Sequence, residues 1–182
     1  MNRLSIKVDE RIELVQAEIF LGEDLYHVID QNRTHLKEFL TFIDDIREPA
    51  HEIAFIKKML NEQAQGTGRL FLIFVEGEIS GTLDLHDINQ VFKKAEIGYW
   101  LKADLNGQGI MTKAVIALCD FAFNQLGLNK LSISADVDNV GSNKVAEKAG
   151  FEFVGVDKQD VVLYGEFRDM NRYSLLKEDF KG

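Results

Sequence analysis

The amino-acid sequence predicts an α/β fold, a mixed sheet with helices on its faces, within a single domain over residues 1–182. Apolar runs of strand length alternate with helical segments in the order strand, helices, three strands, helix, strand, helix and further strands. The length suits one domain with a substantial core. A content of 46 % hydrophobic and 28 % charged residues is typical of globular proteins.

The first third of the chain predicts one strand followed by helices. Residues 12–20 form an apolar run that we interpret as a strand, and helices are expected over residues 24–32 and 34–42. Pro49, the only proline, can open a third helix because a helix leaves the first N–H groups unbonded in any case.

The middle of the chain predicts a hairpin, a third strand and a long helix. Residues 70–75 and 79–85 are apolar and flank Glu76-Gly77-Glu78, which indicates a hairpin. Residues 95–101 predict the next strand. A glycine-containing loop then leads into a helix that reaches about residue 126 and is mostly buried, because its polar positions form one narrow stripe.

The last third predicts a strand, a short helix and further strands. Residues 131–138 alternate apolar and polar, which predicts a strand with one packed face and with Asp136 on the other. The helix starts near Gly141 and ends at Gly150, a suitable left-handed cap. The final strands are expected over residues 151–156, 161–164 and 172–176.

Charge and cysteine content narrow the function classes. The net charge is −9 and no concentrated basic surface is visible, so nucleic-acid binding is not expected, whereas a cationic partner such as an amine suits the charge. A lone cysteine forbids an internal disulfide. The N-terminus carries no secretory signal and no apolar run could cross a bilayer, so we expect a cytoplasmic protein without membrane contact.

The loop Asn106–Met111 has the features of an anion site. Its two glycines can expose backbone N–H groups, and the first turn of the following helix adds unpaired donors at the positive end of the dipole. Such a loop suits a diphosphate, with donors from Gly107 through Thr112, although a plain strand-to-helix turn would also fit. A Rossmann fingerprint needs a third glycine where Thr112 stands, and a Walker A loop needs Gly-Lys-Ser/Thr, so both fail.

The sequence resembles the GNAT superfamily of N-acetyltransferases, in its branch that acts on ribosomal proteins. The superfamily loop is Gln/Arg-x-x-Gly-x-Gly/Ala; Gly109 keeps its central glycine, while Asn106 and Met111 depart from it. Other segments that resemble the branch are Asn32–Leu36, Glu96–Leu101, Asn139–Asn143, Glu147–Phe151 and Asp169–Leu176. The resemblance covers nearly the whole chain. It implies a mostly antiparallel sheet, splayed at its middle, that binds acetyl-CoA.

The resemblance assigns cofactor contacts in three places. Pantetheine would lie in a wedge beside the strand that holds Tyr99, Trp100 and Leu101, pairing with free backbone groups as an added strand would. The loop residues Gly107, Gln108, Gly109, Ile110, Met111 and Thr112 would hold the pyrophosphate. The start of the next helix would contribute contacts from Asn139, Ser142, Asn143 and Lys148. The ribose phosphate would meet either Lys148 or Lys144.

The expected chemistry is direct attack of a neutral amine on the thioester. Glu96 stands where the superfamily has its glutamate base, with His86 and Asp84 as further candidates acting through a water. A backbone N–H near Gly98 would stabilise the oxyanion. Many superfamily members place a tyrosine acid where this chain has Ala146, so Ser142 or a water would serve.

Three functions remain open at this point. Acetylation of a protein N-terminal α-amine, such as that of a ribosomal protein, is the leading prediction, and acetylation of a small amine such as a polyamine or an antibiotic is the second. A CoA-binding module without catalysis is the third, favoured slightly by Ala146 and opposed by Glu96 and Asn139. Cys119 lies among apolar residues and is expected in the core. No metal is expected, and a homodimer is left open.

Overall fold

The computed structural model describes residues 4–182, which form one eight-stranded sheet with helices on both faces. The strands are β1 (Ser5–Lys7), β2 (Ile12–Gln16), β3 (Arg69–Val75), β4 (Glu78–Asn89), β5 (Lys94–Leu101), β6 (Lys130–Asp136), β7 (Glu152–Leu163) and β8 (Glu166–Leu176). The helices are α1 (Gly22–Gln31), α2 (Arg33–Leu36), α3 (Pro49–Gln65), α4 (Ile110–Asn124) and α5 (Val140–Lys148).

The sheet is mixed, with a single parallel pair in its middle. Its strand order is β1-β2-β3-β4-β5-β6-β8-β7, and every neighbouring pair is antiparallel except β5 and β6. That parallel pair is only three residues long, since Lys94–Glu96 face Lys130–Ser132 and the two strands diverge afterwards. The predicted mixed sheet with a splayed centre is confirmed.

Two apolar layers hold the helices against the sheet. On one face, α4 packs on residues such as Leu83, Ile97 and Ile133, and its predicted burial is confirmed. On the other face, α1 and α3 pack on Leu72 and Trp100. Because side chains alternate along a strand, β4 and β5 present different residues to the two layers.

Several element boundaries match the sequence prediction closely. Pro49 is the first residue of α3, as expected for a residue without an N–H group. The β3–β4 hairpin turns through Glu76 and Gly77, whose φ angles of 54° and 86° are those of the tight turn that matches strand twist. Helix α5 ends before Gly150, which has a left-handed φ of 89°.

Four predicted elements differ from the structure. The first strand stops at Gln16 and a 3-10 turn occupies Ile19–Leu21, while the helix predicted over residues 34–42 shrinks to α2. The strands predicted over residues 151–156 and 161–164 are one strand, β7. It pairs with β8 through two register shifts, so the polar stretch between the apolar runs is a bulged part of the strand.

Asp136 follows Ser132 and Ser134 in the predicted alternation of β6, but unlike them it is buried. Asp136 is only 6 % exposed because the Arg168 side chain covers it. Arg168 donates two hydrogen bonds to the Asp136 carboxylate, of 2.8 and 2.9 Å. The paired guanidinium lowers the pKa of the Asp136 carboxyl. A distant arginine on β8 thus makes burial of this carboxylate tolerable, which no local pattern could indicate.

Candidate active site

A cleft of about 540 Å3 opens where β5 and β6 diverge, and we refer to it as the cofactor cleft. Its walls are the end of β5, the Asn106–Thr112 loop and the start of α5. Past Glu96, no residue of β6 pairs with β5, so backbone groups of β5 border this cleft. Tyr99, Trp100 and Leu101 line it, as the sequence predicts.

The glycine loop presents its backbone to the cofactor cleft. Gly107 and Gly109 have φ angles of 76° and 77°, a left-handed conformation that glycine adopts freely. In the part of the chain that the structure describes, no backbone acceptor is recorded for the N–H groups from Gly107 to Thr112, and the first helical bond is that of Lys113 to Gly109 at 3.1 Å. The loop therefore offers the row of free donors that a diphosphate needs.

The side chain of one loop residue, Gln108, is not part of the lining of the cofactor cleft. Gln108 is exposed, does not line the cleft, and donates from Nε2 to the Asp104 carbonyl at 3.1 Å. Gly107, Gly109, Ile110, Met111 and Thr112 do line the cleft. The side chain of Gln108 thus stabilises the turn, and only its backbone N–H remains available for a ligand.

Tyr99 and Ser142 form a hydrogen-bonded pair across the cofactor cleft. The phenol oxygen lies 3.0 Å from Ser142 Oγ and donates to the Ser142 carbonyl at 3.2 Å. Burial raises the pKa of Tyr99 to about 12, so the phenol is protonated at neutral pH. Ser142 Oγ is therefore held in the cleft by a neutral hydroxyl, in a position to pass on a proton.

The two asparagines at the start of α5 have different roles. Asn139 Oδ1 accepts from the Ser142 N–H at 3.0 Å and caps the helix, while its side chain also lines the cofactor cleft. Asn143, predicted to face the cofactor, is buried: its Nδ2 donates to the carbonyls of Asp136 and Asn139, and its Oδ1 accepts from Asn171 and Tyr173. The prediction for the Asn143 side chain is wrong, since protein groups occupy all its bonding positions.

Two lysines of α5 provide positive charge at the rim of the same cleft. Lys148, and with it Lys144, is exposed and lines the cofactor cleft. Both can reach a phosphate from there, so the structure leaves them equivalent, as the sequence did.

A second and larger cleft, of about 1140 Å3, lies on the opposite face of β5 and is called the acceptor cleft below. It runs between α3 and the ends of β4 and β5, and it meets the cofactor cleft at Tyr99 and Trp100, which line both. Gly98 lies beside this junction. A Cβ atom there would come within 2.7 Å of Asp84 Oδ2, so glycine lets the carboxylate lie against the strand.

Asp84 and His86 line the acceptor cleft, and His86 links them to Glu96, which lies outside its lining. His86 Nδ1 lies 2.7 Å from Asp84 Oδ1, and His86 Nε2 lies 4.0 Å from Glu96 Oε1. The hydrogen bond with Asp84 raises the pKa of His86, while burial raises the pKa of Asp84. The structure therefore brings together the three candidate bases that the sequence predicted.

Glu96 also has a partner that the sequence did not indicate. Arg172 Nη1 lies 3.4 Å from each Glu96 carboxylate oxygen and is itself held by Asp157 at 2.6 Å and Asp160 at 3.1 Å. A neighbouring guanidinium stabilises the ionised carboxylate. Arg172 thus holds the Glu96 side chain in place beside His86.

The Asn32–Leu36 segment positions the cofactor loop, a role that sequence reasoning missed. Asn32 Oδ1 accepts from the Ala103 N–H at 3.2 Å, and His35 Nε2 lies 3.2 Å from Asn106 Nδ2. Arg33 donates to the Ile43 carbonyl at 2.8 Å and to the Ile46 carbonyl, which fixes the segment before α3. The likeness of this segment to the family pattern was the only signal in the sequence.

Cys119 is a core residue, as predicted. It lies on α4 and is fully buried, and burial raises the pKa of its thiol to about 12. A thiol in that state supplies no thiolate nucleophile near neutral pH. Among the described residues, no helix is long and apolar enough to cross a membrane, and no group of three metal-ligating side chains is found.

Comparison with known proteins identifies the family. Residues 11–152 match the model of the acetyltransferase (GNAT) domain. The putative ribosomal N-acetyltransferase YdaF of Bacillus subtilis (strain 168) is 33 % identical over 177 residues, with 97 % of each chain covered. The ribosomal-protein-serine acetyltransferase of Escherichia coli (strain K12) is 32 % identical over 172 residues, with 94 % of this chain and 96 % of that protein covered.

A solved structure agrees with these relatives in fold. The RimL ribosomal L7/L12 alpha-N-protein acetyltransferase, in complex with coenzyme A, superposes with a TM-score of 0.92 at 28 % identity. The match covers 95 % of this chain and 98 % of that one. The family match, the relatives and the free donors of the cofactor cleft agree: the chain belongs to the GNAT acetyltransferase family and is an acyltransferase that uses acetyl-CoA.

Proposed function

We propose that this enzyme acetylates the N-terminal α-amine of a ribosomal protein in the cytoplasm. The observation that carries the proposal is the meeting of two clefts at Tyr99 and Trp100, one rich in free backbone donors and the other acidic and wide enough for a peptide end. The names of the relatives, which specify ribosomal proteins and serine, support this acceptor over a small amine.

Acetyl-CoA supplies an activated acetyl group when it is bound, and the residues of the chain orient it and move protons. We assign the backbone N–H groups of Gly107–Thr112 to the pyrophosphate and the free edge of β5 to pantetheine. Asn139 contributes its side-chain NH2, since its oxygen caps α5. Lys148 or Lys144 meets a phosphate at the rim.

Proton transfer is assigned to groups on either side of the junction. Glu96, linked to His86 and Asp84, is proposed to accept the proton of the acceptor amine, directly or through a water. Ser142, hydrogen-bonded to Tyr99, is proposed to give a proton to the departing thiolate, with the serine hydroxyl reprotonated from solvent. We assign a backbone N–H of β5 near Gly98 and Tyr99, beyond the pairing with β6, to the reacting carbonyl.

The proposal is tested by comparing acceptors in one assay. Thiol release from acetyl-CoA is measured with a serine-initiated ribosomal-protein peptide, the same peptide with a blocked N-terminus, and a panel of small amines including spermidine. We expect turnover with the free peptide only, and mass spectrometry should locate one acetyl group on its α-amine. Preference for a small amine, or CoA binding without turnover on any acceptor, would contradict the proposal.

A further inference from the structure

Glu52 is a buried carboxyl without a protein partner. It lies in the first turn of α3, is only 4 % exposed, and lines the acceptor cleft. Within residues 4–182, its surroundings include no recorded hydrogen bond or ion pair, and burial is the only influence on its protonation. Burying an ionised carboxylate without a partner is costly, so this carboxyl either holds a proton or takes a partner from the cleft that it lines.

The other buried residues with charged or amide side chains provide the contrast. Asp136 is bonded twice to Arg168, and Asn143 uses both ends of its amide on protein groups. Both have structural roles that their contacts explain. Glu52 has no such contact, and its carboxyl faces a cleft that is large enough to admit a ligand.

The other charged and titratable groups that line the acceptor cleft favour a cation. Those on α3 are His51, Lys58 and Glu62, and Asp45 lies in the segment before α3. From the strands they are Asp84, His86, Asp87 and Lys94. Together with Glu52 the cleft thus holds five carboxyl groups and two lysines, and Lys58 is already paired with Glu62 at 3.6 Å. An ammonium group entering this cleft meets an excess of negative charge.

We propose that Glu52 binds the ammonium group of the acceptor as it enters the cleft, and so makes the enzyme selective for an unblocked, cationic amine end. This inference rests on the proposed function, in which the acceptor is an amine. Glu52 is here a binding residue for the acceptor, distinct from Glu96 and His86, which move the proton at the junction.

The protonation of Glu52 gives this role a direct signature. Burial raises the pKa of Glu52 to about 7, so much of the carboxyl is protonated near neutrality. A bound ammonium favours the ionised form and lowers that pKa, so acceptor binding must release protons to the buffer. At pH 6.5 about three-quarters of the Glu52 carboxyls are protonated in the free enzyme. Acceptor binding at this pH can therefore release at most about three-quarters of a proton from this group.

The kinetic test uses Glu52→Gln with Glu48→Gln as its control. Glu48 directly precedes α3, but it is exposed, does not line the acceptor cleft and makes no side-chain cap bond to the helix. With a serine-initiated pentapeptide amide, we expect Glu52→Gln to raise the KM for peptide about tenfold or more, with kcat within about twofold of the parent. The KM for acetyl-CoA should not change, and Glu48→Gln should resemble the parent.

The binding test measures protons rather than activity. Titration calorimetry of the same peptide into the CoA-bound enzyme at pH 6.5, in two buffers of different ionisation enthalpy, should show release of up to about three-quarters of a proton. Glu52→Gln should abolish this release, while Glu52→Asp, which keeps the carboxyl, should retain part of it. Circular dichroism confirms that each variant is folded.

The outcomes separate this inference from the proposed function. An unchanged peptide KM in folded Glu52→Gln, or equal proton release by the parent and Glu52→Gln, would overturn the role of Glu52 while leaving acetylation intact. If the parent acetylates only a small amine, the same pair of measurements with that amine still decides whether Glu52 binds it.

Discussion

The pH dependence of stability offers a sharp test of the environment of Glu52. In the free protein this carboxyl is 4 % exposed and its pKa is raised from 4.5 to about 7 by burial. The folded state therefore holds a proton more tightly than the unfolded chain does. The contribution of Glu52 to the free energy of unfolding is fully present below pH 4.5. It falls as the pH rises and is lost above pH 7.

The size of the effect follows from the shift. A difference of about 2.5 pKa units corresponds to about 3 kcal/mol between the two limits, since one unit is worth about 1.4 kcal/mol. Glutamine resembles the protonated carboxyl in shape and charge, so Glu52→Gln removes the titration but not the polar group. We expect the variant to match the parent near pH 4 and to be up to about 3 kcal/mol more stable at pH 8.

Urea unfolding at several pH values measures this difference directly, without an extrapolation between temperatures. Thermal melts should show the same trend, with a gain of about 6–12 °C for the variant at pH 8 in a chain of this length. The exposed Glu48 again provides the control, since Glu48→Gln should give no comparable gain. A stability difference between Glu52→Gln and the parent that does not vary with pH would refute the reasoning, because the carboxyl would then have a partner.

Four further outcomes are expected. Gly109→Val should weaken CoA binding severely in calorimetry, because a β-branched residue is strained at a φ of 77° and its side chain obstructs the donors of the loop. Asn139→Ala should lose about 1–3 kcal/mol of cofactor affinity and about 1 kcal/mol of stability, whereas Asn139→Asp keeps the helix cap and should recover only the stability. Glu96→Gln should lower turnover by about 10²-fold or more with acetyl-CoA affinity nearly intact, and unchanged activity at every pH would place the base elsewhere. Turnover should rise with pH through the raised pKa of His86, since a histidine acts as a base only when neutral, and His86→Gln should remove that step from the pH–rate profile.

The sequence alone predicts the elements that are marked by the backbone preferences of their own residues. Pro49 marked the start of α3, and the turn residues Glu76 and Gly77 marked the β3–β4 hairpin. Both rest on backbone rules that hold wherever the residue occurs. The glycine loop before α4 could likewise be predicted, because free N–H donors follow from the geometry of any helix start.

Features that depend on partners distant in the chain could not be read from the sequence. Asp136 is buried through Arg168, 32 residues further on, and Glu96 is oriented by Arg172, 76 residues further on. Glu52 had no sequence signal at all, because a glutamate in the first turn of a helix is ordinarily an exposed residue that complements the dipole. Only the packing of α3 against the sheet shows that this one faces a cleft.

The geometry of β5 explains how one short strand can serve both substrates. Its alternate residues point to opposite faces, so Gly98 borders the acceptor cleft and Leu101 the cofactor cleft, while Tyr99 and Trp100 line both. The brief pairing with β6 leaves the strand edge free at the level of these residues. In the proposed function, the amine and the acetyl group meet at this strand edge from opposite faces. A substitution on β5 should accordingly change the KM of the substrate whose cleft the residue lines, and substitutions of Tyr99 or Trp100 should change both KM values.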